Sequence, residues 1–477
     1  MSPNPPPTGV PRRSLFPCLV LLTSLGALDQ TMMATALPEV VADLGNADRV
    51  AWPVTAYTLA LTATMPVAGA LGDRLGRRRT LLASITLFLI ASVACGLADD
   101  MMTLTLARLV QGVGGAGLLT LPQAVVADAV PVRDRAAYLG PLGAVFAVAT
   151  VVSPLLGGWL TDSASWRWIF WINLPLGAAA TALVCVAVPS SAPADRTRPE
   201  HFDTTGAALL AVTAAGLAMS VAGTREPDAT TVLIGVTAMA ATVAVWWECR
   251  AANPVLPVRA LRHRTALVCC ALALLAGFGL FGVLAYIPAW IQRLHGTSAS
   301  SAGLMLVPVT VGIVVGTNAS GLAVRRWGHW RIYPVAGCAL SAAAASALAV
   351  VAGRGAPLPA IAALLALLAM GTGLFMQLVV VAAQDAGSPD ATGKVTASLA
   401  FAREIGVLAG TAALGSLVAS ALSAPPDGPG GAEFTPVFAL AAACFFSGLV
   451  LALLLPRHQL GEQDARAALR HHAKTQP

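Results

Sequence analysis

Four charged side chains lie inside long apolar stretches of this 477-residue chain, and they are the residues best suited to do chemistry there. They are Asp29, Arg108, Arg403 and Glu404. Ionisable side chains within a membrane-spanning helix are costly, and they typically mark proton relays or substrate pathways. A carboxylate can bind and release a proton, and an arginine that pairs with it and then withdraws changes how readily it does so. The sequence therefore predicts proton binding at Asp29, controlled by Arg108, with Glu404 as a second candidate.

The spacing along the helices predicts which of these side chains meet. With Pro38 as the outer end of the first helix, Asp29 lies about 13 Å from that end, and Arg108 lies about 8 Å from the outer end of the fourth helix. We therefore expect Asp29 and Arg108 to face each other. Glu404 lies roughly 14 Å into its helix, where it is a second proton site, a contact for a cationic substrate, or a structural partner of an arginine. Arg403 need not neutralise it, because neighbouring residues point about 100° apart on a helix.

The composition identifies the elements that carry these residues as membrane helices. Hydrophobic residues make up 57% of the chain and charged residues only 11%, and the mean hydropathy is +0.75. Soluble domains are about 25% charged, so a soluble globule, a disordered chain and a coiled coil are excluded. We predict an all-α polytopic membrane protein in which no polar stretch is long enough to form a soluble domain.

Cysteine and histidine usage argues against metal and redox chemistry. The eight cysteines show no CxxC spacing, and the seven histidines fall in predicted loops or tails. Neither a metal site nor a disulfide framework is therefore expected. The chain also contains no P-loop motif for nucleotide binding. We expect no cofactor and no nucleic-acid partner, and an ion gradient as the energy source.

Apolar stretches separated by polar breaks predict fourteen transmembrane helices. Their approximate ranges are 15–38, 51–71, 81–98, 103–127, 137–161, 168–188, 206–223, 230–247, 266–290, 301–323, 332–352, 359–384, 395–422 and 435–455. Of the 29 lysines and arginines, 22 fall on one side of these helices and five on the other. By the positive-inside rule, the first side, which carries both termini, is cytoplasmic.

One loop motif occurs twice, which predicts two related bundles. Its copies are Gly69-x3-Asp73-Arg74-x-Gly76 after the second helix and Gly321-x3-Arg325-Arg326-x-Gly328 after the tenth. Internally repeated helical bundles are a transporter architecture. The predicted organisation is a cytoplasmic tail (1–14), an N-terminal six-helix bundle (15–190), two additional inserted helices with linkers (191–250), a C-terminal six-helix bundle (251–456) and a second cytoplasmic tail (457–477).

Five segments in order carry a family resemblance. They are Leu28–Pro38, Gly69–Arg79, Arg108–Gly115, a helix-five motif made of Gly140, Ser153, Pro154, Gly157 and Gly158, and Trp166–Gly177. The chain resembles the Major Facilitator Superfamily, and within it the fourteen-span drug:proton antiporter family. In the helix-five motif the spacing is intact, and Ala149 and Ser153 stand where the family has glycines.

The resemblance implies a proton-coupled exporter of amphipathic drugs or natural products that works by alternating access. It implies that the loop motif is a latch that holds the bundles together in the outward-facing state. The latch residues are Gly69, Asp73, Arg74, Gly76, Arg77, Arg78 and Asp128, with Asp128 as the partner of Arg77. In the family the helix-five motif accompanies export rather than uptake.

Methionine, aromatic and amide side chains suit an adaptable substrate cavity. The candidates are Met33, Tyr57, Gln111, Phe281, Trp290 and Gln377, together with Arg403 and Glu404. The expected partners are amphipathic small molecules, cationic ones included, as well as protons and membrane lipid. We expect a monomer in the cytoplasmic membrane, and the use of 27 arginines against two lysines suggests a high-GC bacterium.

Two other functions stay open at this point. The first is a proton-coupled metabolite symporter on the same fold, against which the helix-five motif argues. The second is a membrane-embedded sensor or enzyme. No appended signalling domain and no cluster of histidine, aspartate and glutamate in the sequence supports that interpretation.

Overall fold

The computed structural model describes residues 12–45, 52–189, 203–222, 227–251, 254–256, 263–295, 304–352, 354, 356–387, 391–423 and 434–457. Within these ranges the regular structure is helical, and no β-strand occurs among them. Most of both predicted cytoplasmic tails lies outside the described residues, as do Arg196 and Arg198 of the predicted loop after the sixth span.

Nine helices precede residue 251 in the described part of the chain. They are α1 (Arg12–Leu44), α2 (Trp52–Leu75), α3 (Arg77–Gly96), α4 (Met101–Ala129), α5 (Val132–Ser163), α6 (Trp168–Trp171), α7 (Asn173–Ala187), α8 (Thr204–Ala222) and α9 (Pro227–Arg250). The later helices are α10 (Arg264–Ala276), α11 (Gly282–Leu284), α12 (Ile287–His295), α13 (Leu306–Trp327), α14 (Ile332–Val351), α15 (Leu358–Ala386), α16 (Thr392–Ser423) and α17 (Thr435–Leu453). A π-helical turn, Gly277–Phe281, joins α10 to α11.

Twelve helical segments of the described chain are long and apolar enough to cross a membrane. The protein is therefore a multi-pass membrane protein. The helices α8 and α9 stand at the positions of the two predicted additional spans, and Thr204–Gly216 is an apolar helical stretch too short for that criterion. Fourteen spans and cytoplasmic termini stay predictions.

Three predicted helices differ in detail from the structure. Pro38 does not end the first helix, because α1 runs on to Leu44 with Pro38 inside it. The sixth predicted span is interrupted at Ile172, between α6 and α7. The ninth predicted span contains the π turn, which includes two glycines, Gly277 and Gly279. The same span is interrupted again between α11 and α12.

The first compact unit comprises Met1–Val125, Val145–Val258 and Asp390–Phe401. In it α1 packs on α7, α3 packs on α7 and α2, and α8 packs on both α2 and α9. The first turns of α16 also belong to this unit, whereas the rest of that helix does not. The predicted domain boundaries at residues 190 and 250 stay predictions.

The second compact unit comprises Val126–Ala144, Arg259–Pro389 and Ala402–Pro477. Helix α15 lies at its centre, in contact with α10, α13 and α14. Small residues allow these contacts, because a methyl group at Gly312 or Gly316 would collide with backbone oxygens of α15. Glycines four residues apart typically permit such a close approach of two membrane helices.

Candidate proton-binding site and its supporting contacts

Asp29 of α1 ends in an enclosed hydrogen-bond network within the first unit. Its Oδ2 accepts a hydrogen bond from Arg108 Nη1 at 2.6 Å. Its Oδ1 accepts hydrogen bonds from Gln111 Nε2 at 3.0 Å and from Asn173 Nδ2 at 2.9 Å. Asp29 is 3% exposed and Arg108 is 0% exposed. The expected proximity of Asp29 and Arg108 is therefore observed, and the network joins α1, α4 and α7.

Ser92 of α3 orients the two amides from behind. Its Oγ accepts hydrogen bonds from Gln111 Nε2 at 2.8 Å and from Asn173 Nδ2 at 3.3 Å. The Oε1 of Gln111 in turn accepts a hydrogen bond from Arg108 Nη1 at 2.8 Å. These contacts turn both amide nitrogens toward the carboxylate and hold the guanidinium beside it.

Aromatic rings cover the remaining face of Arg108. The guanidinium carbon lies 4.1 Å from the ring centroid of Tyr57 and 5.8 Å from that of Phe170. The Nε and Nη2 atoms are buried and make no hydrogen bond within the described residues. A desolvated cation–π contact is worth about 2 kcal/mol. The rings therefore give the arginine a second favourable contact besides Asp29.

The geometry suits the ionised form of Asp29, since all three of its partners are donors and a carboxylate only accepts. A proton on either oxygen would add a donor among donors and remove the charge that pairs with Arg108, which favours movement of at least one partner. Removing one partner of a buried ion pair costs about 3–5 kcal/mol, because the other charge is left uncompensated. A change of charge at Asp29 would therefore have to be accommodated by movement of α1, α4 or α7.

Three members of this site were not selected from the sequence. Asn173 gave a usable signal, because it is a lone amide within the apolar segment that leads into α7. Ser92 gave none, since single serines are common between membrane helices. Phe170 is one of several aromatic residues in its segment, and only the packing of α6 shows that it covers Arg108.

The extension of α1 beyond Pro38 adds a second anchor for that helix. Asp43 contacts Arg167 Nη1 at 2.5 Å and accepts a hydrogen bond from Trp166 Nε1 at 3.0 Å. The hydrogen bond from Arg167 holds the pKa of the Asp43 carboxyl below its usual value, and that from Trp166 adds to the effect. Because this pKa is lower in the folded state, the contact stabilises the fold at neutral pH and is lost as the pH falls through the lowered pKa.

Asp73 of the loop motif holds the first turn of α16. Its Oδ1 accepts a hydrogen bond from the backbone N–H of Gly393 at 2.8 Å, and its Oδ2 accepts one from the backbone N–H of Lys394 at 2.7 Å. Arg77 Nη2 lies 2.5 Å from the same carboxylate. A helix N-terminus carries unpaired N–H groups and partial positive charge, so an anionic cap there is favourable. We call Asp73, Arg77, Gly393 and Lys394 the α2–α16 contact.

Two glycines of the motif have different physical roles. A methyl group at Gly69 would overlap Ala397 Cβ and would lie 2.5 Å from the Gly393 carbonyl oxygen, so only glycine permits this approach of α2 to α16. Gly76 has φ = 92°, which a residue with a side chain rarely adopts. Close approach to α16 therefore explains the glycine at position 69, whereas the backbone conformation explains the glycine at position 76.

The other predicted latch residues are more exposed than Asp73 and Arg77. Arg74 is exposed and Arg78 is half-buried at the end of α2 and the start of α3. Asp128 is exposed near the end of α4, in the segment assigned to the second unit. The pairing of Asp128 with Arg77 stays a prediction.

We expect Asp73→Asn to slow the transport cycle with little change in equilibrium substrate binding. The amide keeps the size of the side chain, but it removes the charge that caps α16, which is worth up to about 2 kcal/mol when partly buried. Transport rate and substrate affinity are measured on the same preparation. Asp99→Asn, which removes an exposed carboxylate beyond the other end of α3, is the matched control. Turnover at the wild-type rate in Asp73→Asn would refute the latch.

The second copy of the loop motif makes a related contact of reversed polarity. A methyl group at Gly321 would lie 2.5 Å from the carbonyl oxygen of Ala136, so α13 approaches α5 as α2 approaches α16. Arg325 Nε lies 3.2 Å from Asp134 Oδ1, and both side chains are largely exposed. Exposed ion pairs contribute about 0–1 kcal/mol. The second copy therefore forms a weaker contact than the buried Asp73 site.

Two glycines of the helix-five motif lie at close contacts with other helices, and a third glycine makes no such contact in the described part of the chain. A methyl group at Gly140 would lie 2.8 Å from Thr317 O in the second unit, and one at Gly157 would lie 2.8 Å from Met32 O in the first. Ser153 is buried and donates to the carbonyl oxygen of Ala149, and Pro154 follows it half-buried. Among the described residues, no atom outside the backbone of α5 itself lies within 4 Å of a methyl group built at Gly158.

Glu404 and Arg403 form an ion pair, so the expectation that they need not neutralise each other is wrong. Arg403 Nη2 lies 2.9 Å from Glu404 Oε1, and Glu404 is 3% exposed. The long arginine side chain curls across the angle between neighbouring positions, because an unpaired buried carboxylate would be costly. The π turn lies alongside, since a methyl group at Gly277 would collide with the Arg403 carbonyl oxygen.

The candidate cavity residues separate into several environments. Tyr57 and Gln111 belong to the Asp29 site, and Met33 is buried in the apolar cluster around α1. Trp290 packs edge-on against Phe438, with ring centroids 4.7 Å apart, so it is a core residue. Two others lie in the second unit: Phe281 is half-buried at the end of the π turn, and Gln377 is buried facing Gly143.

A chain of apolar membrane-spanning helices with a buried, hydrogen-bonded carboxylate and a repeated loop motif is typical of secondary transporters. The family model described as Major Facilitator Superfamily matches residues 19–411. The chain belongs to the Major Facilitator Superfamily, whose members are membrane transporters rather than enzymes.

Two relatives illustrate the similarity in sequence. An uncharacterised MFS-type transporter of Mycobacterium tuberculosis (strain H37Rv) is 38% identical over 413 residues, which is 86% of this chain and 60% of that protein. The multidrug transporter protein MdtP of Bacillus subtilis (strain 168) is 31% identical over 414 residues, 85% of this chain and 75% of MdtP. The chain thus spans about three fifths of the length of the mycobacterial relative.

The fold is shared with a human protein of much lower sequence identity. The crystal structure of the human organic anion transporter MFSD10 (TETRAN) aligns with a TM-score of 0.68 at 17% identity. The alignment covers 93% of this chain and 100% of that one. At this identity the likeness establishes the fold alone.

Proposed function

We propose that the protein is a proton-coupled exporter of amphipathic small molecules, a drug:proton antiporter of the fourteen-span type. The observation that carries this proposal is Asp29, a buried carboxylate with three donors, an arginine among them. A buried group that exchanges a proton only when its partners move is the element that proton coupling requires. Asp29 and Arg108 are the proton-coupling residues in this proposal.

In the proposed cycle, a proton reaches Asp29 from the outside and releases Arg108 toward Tyr57 and Phe170. The neutral site then favours a different packing of α1, α4 and α7, and loss of the proton to the cytoplasm restores the ion pair. Alternating access follows because each protonation state favours one arrangement of the helices. The α2–α16 contact supplies the latch of the outward-facing state.

Export rather than uptake is supported by two observations. The helix-five segment keeps the spacing of the antiporter motif, with small residues at Ala149 and Ser153. Among the relatives, MdtP is named a multidrug transporter. We propose amphipathic substrates, cationic ones included, and a monomer with both termini in the cytoplasm. The proposed location is the cytoplasmic membrane of a high-GC bacterium.

Transport into inside-out membrane vesicles tests this function. In vesicles whose interior is acidified by respiration, we expect a cationic dye and a neutral dye each to accumulate inside. Protons should leave the vesicle interior as each dye enters. Vesicles without the protein, and vesicles whose proton gradient has been collapsed, are the controls. Export from preloaded vesicles together with protons would indicate symport and overturn the proposal, as would transport indifferent to the gradient.

A further inference from the structure

The segment that follows the inserted helix pair packs where α2 meets α16. Val255 forms a buried apolar cluster with Leu210 of α8 and Ala244 of α9. Partly buried side chains pack against this cluster, among them Val67 of α2 and Phe401 of α16. All of these residues belong to the first unit. The inserted pair is therefore joined, through the segment 254–256, to the two helices of the latch.

Glu248, near the end of α9, holds this segment. It is 2% exposed, and its Oε2 accepts a hydrogen bond from the backbone N–H of Leu256 at 3.0 Å. The backbone N–H of Val255 lies next to it and stabilises the ionised carboxylate electrostatically. One buried carboxylate thus faces two consecutive N–H groups, which fixes the path of the chain after α9. We call Glu248 with Pro254, Val255 and Leu256 the linker brace.

Lys394 connects the linker brace to the α2–α16 contact. Its Nζ donates a hydrogen bond to the carbonyl oxygen of Pro254 at 3.2 Å. Its backbone N–H donates to Asp73 at 2.7 Å. The same residue is therefore held from one side by the loop motif and from the other by the linker brace. A continuous set of polar contacts runs from α9 to α2.

The charges around Glu248 make its own position depend on this arrangement. A methyl group at Gly206 would collide with Asp203 Oδ2 and would lie 2.6 Å from Glu248 Oε1, so the two carboxylates face the same small space. Asp203 is engaged by Trp247 Nε1 at 3.0 Å, whereas Glu248 Oε1 makes no hydrogen bond within the described residues. Asp203 repels the Glu248 carboxylate and Lys394 attracts it. Lys394 therefore stabilises the linker brace in two ways: it donates to the Pro254 carbonyl oxygen, and it attracts the Glu248 carboxylate.

We propose that the inserted helix pair regulates the latch, with Glu248 as the positioning residue that holds Pro254 against Lys394 and so fixes the first turn of α16. This role rests on the proposed transport function, which it deepens by giving the two additional helices a task. Helix α16 is continuous from residues of the first unit to residues of the second. Greater motion of its first turn therefore extends along the helix.

Hydrogen exchange of the full chain in lipid nanodiscs, without substrate or proton gradient, tests the linkage directly. In Glu248→Gln we expect the amides of Val255 and Leu256 to exchange about tenfold faster, because a hydrogen bond to a charged group is stronger than one to a neutral amide. We expect the amides of Gly393 and Lys394 to exchange about threefold faster, although no contact of theirs is altered directly. Glu39→Gln, which neutralises an exposed carboxylate of α1, is the matched control.

Lys394→Met provides a second, independent variant. It removes the ammonium group and keeps the length of the side chain, and we expect faster exchange at Val255 and Leu256 without any change at Glu248. In the double variant the effects on the backbone amides at positions 393 and 394 should not add, since both substitutions break the same connection. An effect of Glu248→Gln confined to Val255 and Leu256, or fully additive effects, would overturn the proposal.

A transport measurement separates this inference from the proposed function. If the linker brace acts on the latch, Glu248→Gln should lower the maximal transport rate about threefold and leave KM unchanged for every substrate. A changed KM for some substrates only would place Glu248 in substrate selection and overturn the positioning role. If the wild-type protein shows no proton-coupled export, the proposed function fails, while the exchange experiment still decides whether Glu248 controls α16.

Discussion

Replacing Asp29 with asparagine is expected to abolish proton-driven export while the protein remains folded and inserted. Asparagine has nearly the same shape, and its carbonyl oxygen can still accept from Arg108. It cannot take up or release a proton, so the step that moves Arg108 no longer occurs. Loss of the charge leaves Arg108 buried without its anion, at a cost of up to about 3–5 kcal/mol. The cation–π contact with Tyr57 offsets part of this cost.

The measurement is export of a fluorescent substrate in inside-out vesicles, normalised to the amount of folded protein. Glu39→Gln is the matched control, because it removes an exposed carboxylate from the same helix. A double variant, Asp29→Asn with Arg108→Gln, removes both charges and should recover thermal stability without recovering transport. Proton-driven export by well-expressed Asp29→Asn would refute the coupling role.

The Asp29 site shows which parts of a membrane site the sequence predicts. Asp29 and Arg108 stand out because charge is rare in apolar stretches, and their spacing from the helix ends predicted the contact. Asn173 and Ser92, which complete the site, are less visible, since uncharged polar groups cost less in a membrane and their role depends on the rotation of α7 and α3. Helix rotation is set by packing against neighbours, which a single sequence does not reveal.

Helix ends and helix irregularities were predicted less well for a related reason. Pro38 was expected to end α1, but proline removes only one backbone hydrogen bond within a helix. The contacts of Asp43 with Trp166 and Arg167 hold the continuation of α1 beyond Pro38. The π turn at Gly277–Phe281 has no pattern of its own beyond its glycines. Its place beside Arg403 became visible only from the close approach of the two backbones.

The Arg403–Glu404 pair is the case in which reasoning from helix geometry failed. Neighbouring positions diverge at the backbone, but the arginine side chain is long enough to return to the carboxylate at 2.9 Å. The consequence for function is specific. A cationic substrate that uses Glu404 has to displace Arg403 from it, and a neutral substrate does not.

Glu404→Gln is therefore expected to impair export of cationic substrates selectively. Two unit charges 4 Å apart attract each other by about 4 kcal/mol at an effective dielectric constant of 20, so removing the anion should lower cation export at least about tenfold. Arg403 would keep its positive charge without the Glu404 carboxylate beside it and would repel cations further. Neutral hydrophobic substrates should still be exported through protonation of Asp29.

The measurement compares one monovalent cation and one neutral substrate in the same vesicles. Glu404→Asp, which keeps the charge, is the matched control and should retain cation export. If Glu404 is instead a required proton carrier, both substrates fail together at normal expression. If it only holds helices together, expression and thermal stability fall and the ratio of the two transport rates does not change. Either of these outcomes counts against a contact between Glu404 and cationic substrates. A substrate-binding carboxylate paired with Arg403 requires a different result: Glu404→Gln loses export of the cation alone, and Glu404→Asp retains it.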